Sequence, residues 1–194
     1  MSHKLRLKFV FFLNSVNILI IISAGFMMPL WGNFVEKIGG DVRTAGSAIG
    51  VFSMVIGVFT FIAGKIESKF NKDEWFMVIT QITMTLSYAG YFFVTQPWHL
   101  YLVQIGLGLS GAFQAPALYS LYHKCMPQKD TAFYWGIWTG FYNISIGIGA
   151  FVSAYIVHQF GFNAMFSVLF SVSAFGLVMA LYTKYLLKRY TLTP

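Results

Sequence analysis

Long apolar runs, interrupted by short polar breaks, set the pattern of this chain. A transmembrane helix takes about 20 mostly apolar residues. Six runs meet that length: Phe9–Leu30, Ala45–Gly64, Trp75–Thr95, His99–Tyr122, Thr131–Val157 and Phe162–Leu186. The pattern predicts an all-α membrane protein of six transmembrane helices in a single domain covering residues 1–194. The connections Trp31–Thr44, Lys65–Glu74, Gln96–Trp98, His123–Asp130 and His158–Gly161 are too short to hold a soluble domain. Any function must then reside in the helices and in the cavities between them. Lys4, Arg6 and Lys8 precede the first run as in a secretory signal. The run is longer than the roughly 7–15 residues of a signal core, so it reads as an uncleaved first span.

A second pattern lies inside the runs. At about 100° per residue, Gly46, Gly50, Gly57 and Gly64 fall on one stripe of the second span. Gly136, Gly140, Gly147 and Ala154 repeat the spacing in the fifth span, with Ser53 and Asn143 at equivalent places. Small residues on one stripe let helices approach closely. The shared spacing hints that spans one to three and four to six are related units. Three is an odd number of crossings, so such units are inverted repeats.

Composition agrees with a lipid environment. Only 10% of residues are charged and 57% are hydrophobic, against about 25% charged in an ordinary soluble domain. The net charge of +7 raises nucleic acid as a partner, but its distribution points elsewhere. With the loops numbered alternately, Lys4, Arg6, Lys8, Lys65, Lys69, Lys72, Lys124, Lys129, Lys184, Lys188 and Arg189 fall on one side. Only Lys37 and Arg43 fall on the other. Basic loops mark the cytoplasmic face. The reading is an integral protein of the plasma (cytoplasmic) membrane, with both termini cytoplasmic, membrane lipids around it and no nucleic-acid partner. Trp31, Trp75, Trp98 and Trp135 near span ends suit an aromatic belt. Asp73-Glu74 and Asp130 open the third and fifth spans, where acids cap helix N-termini.

Candidate chemistry is sparse. No Asp, Glu, Lys or Arg lies in the interior of a span, which argues against a carboxylate proton relay. Cys125 is the only cysteine, so there is no internal disulfide and no cysteine metal cluster. His99, His123 and His158 fall near span ends. No metal site and no cofactor is expected. Gly108-Leu109-Ser110-Gly111 in the fourth span resembles the Gly-x-Ser-Gly of rhomboid intramembrane proteases. That chemistry needs a base, which in that family is a histidine of the sixth core helix, and Phe162–Leu186 contains no histidine. The chain is not expected to be an enzyme. Uncharged polar groups do lie at depth: Asn14, Asn17, Gln81, Gln104, Gln114 and Asn143. Each should face protein or water, since a carboxamide facing lipid loses its hydrogen bonds. Interhelical bonding is one role for them, and Gln104 suits it. Gln114 and Asn143 lie closer to mid-span, with Trp138, Tyr142 and Tyr119 nearby. Carboxamides beside aromatic rings suit a neutral hydroxylated ligand such as a sugar.

One resemblance covers nearly the whole chain. Gly64-Lys65-Ile66-Glu67-Ser68-Lys69-Phe70-Asn71-Lys72 is similar to the loop signature of the major facilitator superfamily, G-x-x-x-D-R-x-G-R-[KR]. Gly64, Lys69 and Lys72 fit, while Ser68 replaces the Asp and Asn71 the second Gly. Pro29-Leu30-Trp31 through Ile38-Gly39-Gly40, and Gly106-x-Gly108-x-x-Gly111 followed by Ala115-Pro116-Ala117, also resemble members of that family. Gln104 stands near the place of an Arg in many of them. The fifth span lacks the Gly-Pro pair of antiporter members. The resemblance implies one six-helix half, made of two inverted three-helix repeats, of a transporter that usually has two halves. It also implies that the second and fifth helices meet the other half, and that the first and fourth line the cavity. Asn14, Asn17 and Gln114 then become substrate contacts, followed by Asn143, with Trp138 and Tyr142 stacking on the ligand. The expected function is a half-size transporter or facilitator of a small neutral polar solute, a sugar being favoured, working as a parallel homodimer by alternating access. Export of lipophilic drugs is the second reading. A non-transporting subunit, or a piece of a twelve-helix transporter, is the third.

Overall fold

The computed structural model describes residues 3–70 and 72–191. Asn71, one position of the loop signature, lies outside the described residues. The long helices are α1 (His3–Met27), α3 (Val42–Phe70), α4 (Asp73–Gly90), α5 (Pro97–Cys125) and α6 (Thr131–Thr191), with a short α2 (Trp31–Lys37) between α1 and α3. No strand is present among the described residues.

Four stretches are long and apolar enough to cross a membrane: Val10–Lys37, Val42–Phe70, Asp73–Phe93 and Thr131–Leu186. The last covers 56 residues, about 84 Å of helix at 1.5 Å per residue, against a hydrocarbon core of about 30 Å. It does not run straight. Gly161 interrupts α6 with φ 79° and ψ 178°, dividing it into arms 131–160 and 162–191. The fourth predicted run falls within α5, whose 29 residues are long enough but carry Gln104, Ser110, Gln114 and Pro116 in mid-helix.

The core follows from the helical period. On α1, Val10, Leu13, Val16 and Ile20 are buried, a spacing of three and four residues that makes one face. That face packs chiefly against α6, while α3 lies along α5 and α4 fits between α5 and α6. A close approach joins α1 to the first arm of α6. A Cβ on Gly25 would stand 2.5 Å from the carbonyl oxygen of Ile146, and one on Gly149 the same distance from that of Ile22. Only glycine permits backbones to meet at this distance.

Two expected connections turn out to be helical. Trp31–Thr44 contains α2 and the first residues of α3 rather than an open loop. Phe34 fixes α2 by inserting among Tyr91, Phe162 and Phe166, with ring centroids 5.2–5.8 Å away. Lys65–Glu74 is shortened because α3 continues to Phe70, which carries Glu67 into a buried position. The start of α3 is capped by Asp41, whose Oδ1 accepts from the Thr44 N–H at 2.8 Å and the Thr44 hydroxyl at 2.9 Å. These bonds, the backbone one foremost, hold the Asp41 carboxyl below its usual range. Asp73 does not cap α4 as expected, since no side-chain cap bond forms there. Its carboxylate instead crosses to α5.

Candidate functional site

A cavity of about 440 Å³ opens between α1, α3, α4 and α5, within the size range of small-molecule sites. It exists because α1 and α3 diverge beyond the α2 turn, each leaning on different partners. Ile20, Ile21, Ala24 and Met27 of α1, Ile49 and Phe52 of α3, Met84 of α4 and Leu107 of α5 make its apolar wall. No charged side chain lines it.

The polar groups of the wall divide into two kinds. Some are already spent on the protein. Trp31 donates its indole N–H to the Ala45 carbonyl at 3.1 Å, Ser110 donates to the Thr80 carbonyl at 2.9 Å, and Ser23 to the Leu19 carbonyl at 3.2 Å. With its hydroxyl so engaged, Ser110 has no base beside it and resembles no activated nucleophile. Two carboxamides are not spent. Gln104 is 6% exposed and lines the cavity with Gln114. Neither has a hydrogen bond to protein among the described residues. A carboxamide can make up to four hydrogen bonds, so both carry unused capacity into the cavity. Sequence reasoning assigned Gln104 to helix pairing. The signal for a different role was its place on the same helix as Gln114, within an otherwise apolar run.

The six sequence-predicted contacts do not form one cluster. Gln114 is the one that lines this cavity. Asn14 and Asn17, 2% and 3% exposed, lie near the middle of α1. Asn14 donates to the Val10 carbonyl at 2.9 Å and reaches the Tyr122 hydroxyl at 3.5 Å. Tyr122 in turn donates to the Tyr134 carbonyl at 2.7 Å. This links α1, α5 and α6. Asn14 Oδ1 and Asn17 Nδ2 have no partner. Trp138 is buried against Tyr122, ring centroids 4.5 Å apart, with Tyr119 and Trp135 around them. Tyr142 and Asn143 lie on the exposed face of α6, where Asn143 bonds back to the Thr139 carbonyl at 2.9 Å. Gln81, by contrast, does pair helices, donating to the Ser173 carbonyl at 3.0 Å beside a Thr85–Ser173 hydroxyl contact of 2.6 Å.

The glycine stripes are bare. Gly46, Gly50, Gly57, Gly64, Gly136, Gly140 and Gly147 all have open space where a Cβ would stand. Over the 29 residues of α3 only Ala48, Ala63 and Glu67 are buried. At the basic end of the bundle, Asp73 accepts from Ser120 and Lys124, both at 2.7 Å. The buried Glu67 stands in the field of Asp73 and keeps Oε1 without a partner.

The described residues form an apolar helical bundle with a ligand-sized cavity that no charged side chain lines. A profile of the Major Facilitator Superfamily matches residues 10–192, and the chain belongs to that family. It is therefore an integral membrane protein of a transporter family. A relative from Methanocaldococcus jannaschii, an uncharacterized MFS-type transporter, is 23% identical over 146 residues. The match covers 75% of this chain and 38% of the relative, so the chain spans well under half of that protein's length.

Proposed function

We propose that this chain is one six-helix half of a secondary transporter that moves a small uncharged solute by alternating access against a second six-helix body. The six crossings are α1, α3, α4, α5 and the two arms of α6, with Gly161 turning the chain back between the last two. Both termini then lie on the basic, cytoplasmic side. The second body is a second copy in parallel orientation, related by a two-fold axis along the membrane normal.

The observation that carries the reading is the bare glycine face. Seven glycines on α3 and the first arm of α6 present open space, and Ser53 and Asn143 share those stripes. A lipid-facing carboxamide would forgo hydrogen bonds, so this face suits another helix pair or a water-filled path. Absence of charge along the cavity favours facilitated movement over proton coupling. A sugar is the solute to which Asn14, Asn17, Gln114, Asn143, Trp138 and Tyr142 pointed as a set. Their separation into three places weakens that choice, and the cavity favours the more lipophilic alternative.

Native mass spectrometry of the protein in nanodiscs tests the assembly. A dimer that is lost in Gly140→Leu and Gly50→Leu, with unfolding unchanged, is the expected result. A strict monomer across mild detergents and lipids would overturn the homodimer and leave the partner-subunit reading.

A further inference from the structure

We propose that the cavity between α1, α3, α4 and α5 is a binding site complete within one copy of the chain, and that its ligand is an elongated uncharged amphiphile with a hydrogen-bonding group at each end. This deepens the transport reading by naming the class of solute.

Three observations carry it. The wall is apolar and adaptable, with Met27, Met28 and Met84 among aliphatic and aromatic neighbours, and methionine accommodates irregular shapes. There is no charged group in the wall, so an ionised ligand would lose its hydration without a counter-charge, at high cost. The carboxamides without a hydrogen bond to protein among the described residues lie at two points of the wall, which the Tyr88 and Tyr91 hydroxyls also reach. Gln104 and Gln114 are ten residues apart on α5, about 15 Å along the helix axis. Between them the lining is Leu107, Gly111 and a Ser110 whose proton is committed to Thr80. A sugar, with hydroxyls on every side, would leave most of them unpaired against Ile20, Phe52 and Met84. A chain with a hydroxyl or amide at either end would satisfy both carboxamides and bury its middle. Gln104, 94% buried and without a hydrogen bond to protein among the described residues, is the stronger of the two marks, because it brings a carboxamide to the cavity wall with its hydrogen-bonding capacity unused.

The probe is 1,12-dodecanediol, an uncharged chain whose extended hydroxyl separation is close to the spacing of the two glutamines. Titrated into the protein in nanodiscs, it should give a saturable change in Trp31 emission, read as wild type minus Trp31→Phe. Nonspecific partitioning into lipid gives a change that does not saturate. Ala24→Phe and Met28→Phe each fill the cavity from an exposed wall position and should abolish the saturable phase, the second serving if the first misfolds. Gln104→Leu and Gln114→Leu should each weaken binding about five- to tenfold, the loss of one hydrogen bond. Glucose should not displace the diol. No saturable phase in the wild type, wild-type affinity in both glutamine variants, or tighter binding of dodecyltrimethylammonium than of the diol would each overturn the proposal. The assay involves neither movement across a membrane nor a second copy. Binding without transport in liposomes would retain the site and sink the transport reading. Transport of another solute without diol binding would do the reverse.

Discussion

Substituting alanine for Gly149 separates close packing from open space within one helix. Its Cβ would sit 2.5 Å from the Ile22 carbonyl oxygen and 3.2 Å from Gly25 Cα. Both neighbours are backbone, so no side chain can rotate away. Ordinary contact begins at 3.4 Å, so α1 and α6 must part by about 0.9 Å where they cross. Overpacking of this kind costs about 1–3 kcal/mol. Alanine also gains up to about 1 kcal/mol over glycine in a helix, which would mask part of the loss. Gly140→Ala supplies the reference: it lies in the same arm of α6 and has nothing within 4 Å. The propensity gain cancels between the two variants, leaving about 1–3 kcal/mol of strain against Gly149→Ala. Reversible unfolding in mixed micelles, followed by tryptophan emission at dilutions favouring single copies, reads the difference. Equal stability of the two variants would refute the close crossing of α1 and α6.

Three further outcomes follow from contacts elsewhere. Tyr122→Phe removes the donor to the Tyr134 carbonyl and the acceptor near Asn14; it should cost about 1–3 kcal/mol in the same unfolding assay, with no loss of ring packing on Trp138. Lys124→Met leaves the buried Asp73, which stands in the field of Glu67, without its ammonium partner. It should lower stability by about 2 kcal/mol, moderated because Lys124 is half exposed, and Lys124→Met/Asp73→Asn should recover part of that loss. The Asp41 cap carries a carboxyl whose pKa is lowered by the Thr44 bonds. Its contribution is present above the ordinary value of 3.8 and is lost as pH falls through the folded value. The gap in thermal midpoint between wild type and Asp41→Ala should therefore close as the pH is taken below that range.

The helices were readable because a membrane fixes both their length and their composition. The glycine faces were readable too: a period that leaves seven glycines on two stripes needs no tertiary information, and those glycines are the ones with open space beside them. The chemistry was harder to read. Asn14, Asn17, Gln104 and Gln114 look alike in sequence, each a carboxamide in an apolar run. What separates them is depth in the packing, which depends on where α5 and α6 place Tyr122 and Trp138. Asp73 looked like a cap because local sequence cannot show that Ser120 and Lys124, 47 and 51 residues on, come within 2.7 Å. The extension of α3 to Phe70 was hidden by its lysines, which end a membrane span without ending a helix.

The break in α6 at Gly161 requires a left-handed backbone conformation. Its φ of 79° and ψ of 178° fall in a region that only glycine enters readily, yet nothing lies within 4 Å of its missing side chain. Space for a methyl group is available, but the backbone is the mirror image of one that an L-residue adopts. L-alanine here would strain the break, whereas D-alanine would occupy the same dihedrals as an ordinary extended residue and hold them more firmly than glycine does. The break between the two arms of α6 thus depends on a sign of φ that an achiral residue supplies, while Phe34 against Phe162 and Phe166 and Gln81 on Ser173 hold the arm that follows.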